Sequence, residues 1–246
     1  AREDYDRADL SPELELLWES FPIAEFGQSL EQIAQSWQGQ FSFKEENVDE
    51  GIQGLRRPQL GALHGISAYF STDRELEPAT VVLPTGTGKT ETMLAAMVYQ
   101  RFEKTLVIVP SDSLRAQTAG KFSTLGYLPD LGIVPDDIWL PAVAVMRAGL
   151  RTIQEASELA AAANVIVATT SVLSAGEKTA VDRLCESCTH LFVDEAHHIS
   201  AKSWLEVRER FEGKKVIQFT ATPFRNDKKA LGGRIIYNYT MGEAQR

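Results

Sequence analysis

Residues 83–90 carry the clearest chemical pattern in the chain, the run LPTGTGKT. A glycine-rich turn between a strand and a helix directs successive backbone N–H groups towards phosphate oxygens, and the helix dipole adds favourable charge. In such a turn Lys89 reaches the β- and γ-phosphates, and the Thr90 hydroxyl ligates Mg²⁺. The pattern therefore predicts a P-loop for Mg-ATP. Its predicted binding residues are Thr85, Gly86, Thr87, Gly88, Lys89 and Thr90.

The run departs from the strict P-loop pattern in one place, because Leu83 stands where that pattern has its first glycine. Pro84 and the residues after it can shape the turn instead. The alternative is an ordinary glycine turn with an incidental lysine. The position of the run between a predicted strand and a predicted helix favours the P-loop.

A second pattern, LFVDEAH at residues 191–197, places two adjacent acids at the end of an apolar strand. Core packing does not explain the pair, because a buried carboxylate is costly without a partner. Asp194 is predicted to hold Mg²⁺ through its water shell, and Glu195 to orient and deprotonate an attacking water. A solvated strand end is the alternative. The catalytic candidates are Lys89, Asp194 and Glu195.

Short aliphatic or β-branched runs alternate with helical patterns from residue 79 onwards. The predicted strands are Thr80–Leu83, Leu106–Val109, Val143–Met146, Val165–Ala168, Leu191–Val193 and Val216–Phe219. The predicted helices are Glu91–Phe102, Ser113–Phe122, Thr152–Ala163 and Ala201–Phe211. This alternation indicates an α/β fold with a parallel sheet covered on both faces. Ligands of such sheets bind beyond the carboxyl ends of the strands, so the chemical motifs should follow strands.

The region before residue 79 is predicted to be helical. Ser11-Pro12-Glu13 is typical of a helix start and leads into a short amphipathic helix that includes Phe21. Further helices are predicted over about residues 25–37 and from Pro58 to about Phe70, joined by a polar connection. Helices with one apolar face usually bury it, so packing on the core is expected; docking a partner and blocking a nucleic-acid path are alternatives.

The formal net charge of −9 is concentrated at one end of the chain. Residues 1–50 carry 13 acidic and 3 basic side chains, whereas residues 51–246 carry 21 acidic and 22 basic ones. Whole-chain acidity therefore does not exclude a nucleic-acid partner for the near-neutral remainder. No apolar run approaches the roughly 18 to 20 residues that span a bilayer. With only two cysteines, the sequence predicts a cytoplasmic protein without a membrane partner.

The two cysteines, Cys185 and Cys188, lie close in sequence to His190, His197 and His198, which are residue types that zinc favours. A structural zinc site needs four convergent ligands, and no second cysteine pair exists. The pattern favours core or surface thiols over a metal site.

Residues 56–240 resemble the first motor domain of superfamily 2 helicases and translocases, within the branch of type I and type III restriction translocases and excision-repair helicases. Six segments match in order over about 185 residues, which is far more specific than any single motif. They are the adenine motif Arg56–Gln59, motif I Pro84–Thr90, motif Ia Val109–Leu114, motif Ib Ala168–Leu173, the DEAH box Asp194–His197 and motif III Thr220–Arg225.

The resemblance implies roles beyond the P-loop and the acid pair. Gln59, with Arg56 in the same motif, would read the adenine edge. Phosphates of a nucleic-acid strand would be bound by Pro110, Ser111, Thr169 and Thr170; helix capping and turn formation are the alternative for these residues. The nucleotide site would be coupled to the strand site by His197, Thr220 and Thr222; His197 could equally be a core histidine.

The resemblance also implies a RecA-like motor domain at residues 55–246, after an acidic helical extension at residues 1–54. Such motors use a second domain that supplies an arginine finger, and no motifs of one follow Arg225. We expect the isolated chain to bind ATP and Mg²⁺ but to hydrolyse ATP very slowly. Expected partners are nucleic acid, more readily DNA, through its backbone; a second motor domain of the same polypeptide; and nuclease, defence or repair subunits.

Two other functions remain open at this point. A nucleotide-gated binding module would use ATP only to switch its affinity for nucleic acid or protein. A small-molecule phosphotransferase would explain the P-loop, but it needs neither the adenine motif nor Thr220-Ala221-Thr222.

Overall fold

The computed structural model of the protein describes residues 18–21, 28–72, 77–223, 232–240 and 242. Strands and helices alternate through most of this range. The strands are β1 (Trp18–Phe21), β2 (Ala79–Val82), β3 (Thr105–Val109), β4 (Val143–Met146), β5 (Val165–Thr169), β6 (His190–Val193), β7 (Lys215–Thr220) and β8 (Arg234–Asn238). The helices are α1 (Leu30–Ser36), α2 (Arg57–Phe70), α3 (Lys89–Gln100), α4 (Asp112–Thr124), α5 (Ile153–Ala162), α6 (Thr170–Ser174), α7 (Lys178–Ser187) and α8 (Ala201–Arg210).

The strands form one sheet in the order β1-β4-β5-β3-β6-β7-β2-β8. Strands β2 to β8 run parallel, and β1 adds an antiparallel edge to β4. All six predicted strands are confirmed to within one residue at each end. The fold is therefore the predicted α/β, RecA-like P-loop architecture, because apolar strands buried on both faces can pair only inside a sheet that helices cover.

Two hydrophobic cores lie on opposite faces of this sheet. One face contacts α1 to α4, and the other contacts α5, α7 and α8. The alternation along β3 shows the division, since Val107 packs into the first core and its neighbours Leu106 and Ile108 pack into the second. Every strand except β1 and β8 carries buried residues at nearly all positions, which explains why the strands are continuous apolar runs in the sequence.

The N-terminal region differs in part from the prediction. Residues 18–21, predicted as the end of an amphipathic helix, form β1, while residues 11–17 lie outside the described residues. The pairing of Trp18 with Met146 of β4 overrides the local helical pattern, because it buries the indole to 2% exposure and pairs an otherwise open sheet edge. Of the helix predicted over about 25–37, residues 30–36 are helical as α1.

The described part of this acidic region packs on both cores, with Trp18 in the second core and Ile33, Ala34 and Trp37 in the first. Trp37 is 1% exposed, and its indole N–H donates to the backbone oxygen of Trp139 at 2.8 Å. The side chain of Asn164 donates to the backbone oxygen of Leu30 at 2.9 Å. These contacts agree with the expectation of packing on the core. The boundary at residue 54 remains a prediction.

The helices after residue 79 were only partly predicted. The four predicted helices appear as α3, α4, α5 and α8, with ends shifted by up to two residues. Helices α6 and α7 were missed, although Thr169 caps α6 and α7 buries Val181 and Leu184. Among the described residues, no helix is long and apolar enough to cross a membrane.

Candidate nucleotide site

The motifs meet at one edge of the sheet. The P-loop follows β2 and the acid pair follows β6. Motifs Ia and III begin at the last residues of β3 and β7, and motif Ib begins one residue before the end of β5. These are the carboxyl ends of parallel strands, which confirms the expectation that the motifs follow strands. Two of these ends are joined directly, because the backbone N–H of Leu83 donates to the oxygen of Thr220 at 2.8 Å.

The P-loop is closed by its own side chains. Both the backbone N–H and the hydroxyl of Thr87 donate to the oxygen of Pro84, at 3.3 and 2.7 Å. Gly86 and Gly88 have φ angles of +83° and +87°, in the left-handed region that glycine adopts without strain. Pro84 and Thr87 thus form the turn that the strict pattern assigns to a first glycine, and Lys89 becomes the first residue of α3.

The adenine motif packs directly against this turn. Gln59 is 5% exposed, and its Nε2 donates to the oxygen of Gly88 at 3.3 Å, while its Oε1 accepts from the backbone N–H of Arg56 at 2.8 Å. The Arg56 guanidinium donates to the oxygen of Gly86 at 3.1 Å. Both predicted residues therefore reach the P-loop and hold its carbonyl groups. Recognition of adenine by Gln59 remains a prediction.

We expect Gly88→Ala to weaken the binding of Mg-ATP by at least about tenfold. A Cβ on Gly88 would overlap the buried Gln59 amide nitrogen, and alanine disfavours a φ of +87°. That strain costs about 1 to 2 kcal/mol, so the melting temperature should fall by about 2 to 8 °C.

The matched control for this substitution is Gly120→Ala. Gly120 lies within α4 and a Cβ there meets nothing within 4 Å, so alanine should stabilise the helix by up to about 1 kcal/mol. Equal affinities of the two variants for Mg-ATP, measured by calorimetry, would contradict the proposed strain at Gly88.

The acid pair faces the P-loop lysine. Lys89 Nζ lies 3.0 Å from Glu195 Oε1, and both side chains are largely buried. Glu195 adopts a left-handed φ of +46°, which is uncommon for a residue other than glycine, asparagine or aspartate. Its backbone N–H donates to Asp194 Oδ1 at 2.9 Å. The left-handed turn at Glu195 thus accompanies the contact of its carboxylate with Lys89.

Burial and the neighbouring Glu195 raise the pKa of Asp194 to about 6, against the opposing charges of Lys89 and Lys121. This rise means that the surrounding cations do not fully compensate the Asp194 carboxylate. A bound divalent cation would reverse the effect, because it favours the ionised form.

A polar cleft of about 610 Å³ joins these parts. Its lining includes most of the predicted nucleotide-binding residues, namely Arg56, Gln59, Thr85, Gly86, Gly88, Lys89, Thr90, Asp194 and Glu195. Sequence reasoning missed several other lining residues: Glu46, Gly54, Glu91, Leu114, Gln117, Lys121, Tyr127 and Leu131. Glu91, which directly follows the P-loop, and Leu114, the last residue of motif Ia, carried a signal; the others come from segments with no recognised chemical motif.

The ion pairs of the cleft fit a nucleotide with Mg²⁺. Glu46, Glu91 and Glu195 each lie within 4.0 Å of a cation, on Arg56, Lys121 and Lys89 respectively. Among the described residues Asp194 has no such ion pair, and the Oε2 atom of Glu195 is buried without a hydrogen-bond partner. Mg²⁺ commonly binds one or two carboxylates together with phosphates and waters, so the absence of a three-ligand cluster in the described residues is compatible with it.

The predicted coupling residues form one hydrogen-bonded chain. The hydroxyl of Thr220 donates to the oxygen of Thr222 at 2.7 Å, so it must accept from His197 Nδ1, which lies 2.9 Å away. His197 therefore carries its proton on Nδ1. Burial and then the neighbouring His198 lower the pKa of His197, which keeps the ring neutral. The structure brings these three residues together; the transmission of a signal through them remains a prediction.

Motifs Ia and Ib differ in how their hydroxyl groups are used. Thr169 caps α6, because its buried hydroxyl accepts from the backbone N–H of Val172 at 3.3 Å. Ser111 precedes α4 without such a cap, and its hydroxyl lies 3.1 Å from that of Ser113. Ser111, Pro110 and Thr170 are half-buried. The Thr169 hydroxyl is thus a helix cap. Pro110, Ser111 and Thr170 lie at the strand ends, and their contacts with phosphates remain a prediction.

Cys185 and Cys188 lie in the second core, each 1% exposed. Burial raises the pKa of both thiols to about 12. His190 instead stacks on Phe102 with ring centroids 3.6 Å apart, and burial lowers its pKa to about 3. The two cysteines, His190 and His197, which lie close together in the sequence, thus have different neighbours in the structure.

The parallel sheet and the ordered motifs along its edge define a superfamily 2 helicase-type motor domain. The chain belongs to the family described as "Type III restriction enzyme, res subunit", whose sequence model matches residues 52–225. No curated protein sequence matches the chain.

Several solved structures are similar to the chain. UvsW of bacteriophage T4 is 14% identical with a TM-score of 0.50, over 86% of this chain and 39% of UvsW. The Type ISP restriction-modification enzyme LlaGI, solved with a DNA substrate mimic, is 17% identical with a TM-score of 0.49, over 78% of this chain and 20% of LlaGI. The Hef helicase domain of Pyrococcus furiosus is 24% identical with a TM-score of 0.44, over 65% of this chain and 33% of that domain. The chain thus spans 20 to 39% of the three chains compared.

Proposed function

We propose that this chain is the ATP-binding motor domain of a helicase or translocase that couples ATP hydrolysis to movement on nucleic acid. The observation that carries the proposal is the 3.0 Å contact between Lys89 and Glu195. These residues lie 106 positions apart in the chain, in the two motifs that sequence alone assigns to phosphate binding and water activation. Their convergence in one polar cleft supports a site for phosphoryl transfer to water.

Each part of the cleft has a role in this proposal. The backbone N–H groups of Gly86 and Gly88 and the ammonium of Lys89 bind phosphate oxygens. The Thr90 hydroxyl and the Asp194 carboxylate hold Mg²⁺, which neutralises charge on the phosphates when bound. Glu195 orients the attacking water and accepts its proton. Arg56 and Gln59 hold the carbonyl groups of the P-loop turn, and Gln59 would also contact the adenine.

The proposed partners are inferred from the charged side chains of the cleft and from the strand-end motifs. The three basic side chains that line the cleft all pair with carboxylates: Arg56 with Glu46, Lys121 with Glu91 and Lys89 with Glu195. A second motor domain would add an arginine finger to them. Nucleic acid, more readily DNA than RNA, would contact Pro110, Ser111, Thr169 and Thr170 through its backbone. We place nuclease, defence or repair subunits among the further partners because restriction enzymes combine such activities.

The test of this function has two parts. Calorimetry with Mg-ATP should give saturable binding to the chain, and Lys89→Ala should weaken that binding by at least about thirtyfold, because the main phosphate cation is lost. In a longer polypeptide that also carries the proposed second motor domain, here called the two-motor polypeptide, duplex DNA, single-stranded DNA or RNA should stimulate hydrolysis. Binding without stimulation by any polymer would favour a nucleotide-gated binding module, and no binding at all would refute the proposal.

A further inference from the structure

The nucleotide cleft contains an ion pair that the motif pattern does not explain. Lys121, in the last turn of α4, places its Nζ 2.8 Å from Oε1 of Glu91, in the first turn of α3. Both side chains line the cleft, and Glu91 directly follows Thr90. Only 12% of the Glu91 side chain is exposed, so water and salt screen its charge poorly.

An unpaired carboxylate in this position would oppose the binding of a polyphosphate, because like charges repel strongly at partly buried sites. Four acidic and three basic side chains line the cleft: Glu46, Glu91, Asp194, Glu195, Arg56, Lys89 and Lys121. Arg56 and Lys89 are engaged by other carboxylates, at 3.9 and 3.0 Å. Lys121 is therefore the cation that compensates Glu91.

We propose that Lys121 is a positioning residue of the nucleotide site, which acts by neutralising Glu91 beside the phosphate-binding turn. This inference rests on the proposed function, because it concerns the affinity for ATP. The effect of Lys121 passes through Glu91 and needs no contact with the nucleotide. An ordinary salt bridge between α3 and α4 would instead stabilise the fold and leave nucleotide affinity unchanged.

A double-mutant cycle separates these two roles. Calorimetry would give the Kd values of Mg-ATP and Mg-ADP for the wild type, Lys121→Met, Glu91→Gln and the double variant. We expect Lys121→Met to raise the Kd of Mg-ATP about tenfold, and that of Mg-ADP less, because ADP carries less negative charge. Removing both charges should restore the Kd of Mg-ATP to within about threefold of the wild type. Glu91→Gln alone should bind Mg-ATP at least as tightly as the wild type.

Two further variants serve as controls. Lys121→Arg keeps the charge and should keep the affinity. Arg210→Met breaks a comparable pair with Asp182, 2.7 Å long and located between α8 and α7 on the other face of the sheet. It should lower the melting temperature without changing the Kd of Mg-ATP.

The inference is overturned if Lys121→Met leaves the Kd unchanged, or if the double variant binds as weakly as Lys121→Met. If Lys121→Met does not fold, Glu91→Gln decides the matter, because a tenfold loss of affinity in that variant contradicts a repulsive role for Glu91. A wild-type chain that does not bind Mg-ATP would refute the proposed function itself, which keeps the two failures distinct.

Discussion

Glu195→Gln is expected to lower the rate of ATP hydrolysis by about 10²- to 10⁴-fold, because the amide cannot accept the proton of the attacking water. Glutamine has nearly the same shape as glutamate, so the left-handed turn at residue 195 should persist. Binding of Mg-ATP should be retained or tightened. The reason is that Glu195 Oε1 holds the Lys89 ammonium at 3.0 Å, and a neutral amide competes less well with phosphate for that cation.

This result would be measured as phosphate release by the two-motor polypeptide with a stimulating polymer, alongside calorimetric binding of Mg-ATP. Glu46→Gln is the matched control, since Glu46 lines the same cleft and pairs with Arg56 at 3.9 Å, away from the acid pair. The control should change the hydrolysis rate by less than about threefold. A Glu195→Gln variant that hydrolyses ATP at the wild-type rate would exclude Glu195 as the base.

The isolated chain of residues 1–246 is expected to bind Mg-ATP yet turn it over about 10³ to 10⁵ times more slowly than a protein that also carries the arginine finger. The physical reason is that, among the described residues lining the cleft, Lys89 is the one cation that we propose to bind the transferred phosphoryl group, so the charge developing there would lack an arginine finger. Phosphate release by the isolated chain, compared with that of the two-motor polypeptide at saturating ATP, measures the difference.

Contaminating ATPases are the main hazard in a measurement of slow turnover. Lys89→Ala provides the control, because it removes activity that belongs to this site and leaves a contaminant unaffected. Turnover by the isolated chain that approaches that of the two-motor polypeptide, and that Lys89→Ala abolishes, would contradict the prediction. In that case the residues described in this cleft would suffice for catalysis.

The wrong helix prediction at residues 18–21 shows that a local sequence pattern does not determine strand pairing. The leucines and glutamates before Trp18 suggest a helix, yet this tetrapeptide pairs with β4, more than 120 residues away, and buries its indole there. A helical period describes one element by itself, whereas the pairing depends on which strand lies open at the sheet edge.

Some functional residues could likewise be predicted from a local pattern, whereas others depend on tertiary packing. The P-loop, the acid pair and the strand ends could be predicted from sequence, because each depends on a short backbone conformation followed by a side chain of fixed type. The contact of Gln59 with Gly88 and the pairing of Lys121 with Glu91 could not, since they depend on how α2 and α4 pack beside the start of α3.

Sequence by itself thus determined the fold class and predicted which residues with chemical side chains stand at the strand ends of this protein. Only the tertiary structure decided which charges meet in the cleft. The physical reason is that a parallel sheet gathers all its carboxyl ends at one edge, while the order of strands and the packing of helices against them set the distances between side chains. Electrostatic interactions depend steeply on those distances, so the compensation of Glu91 by Lys121 appears only once α3 and α4 are placed side by side.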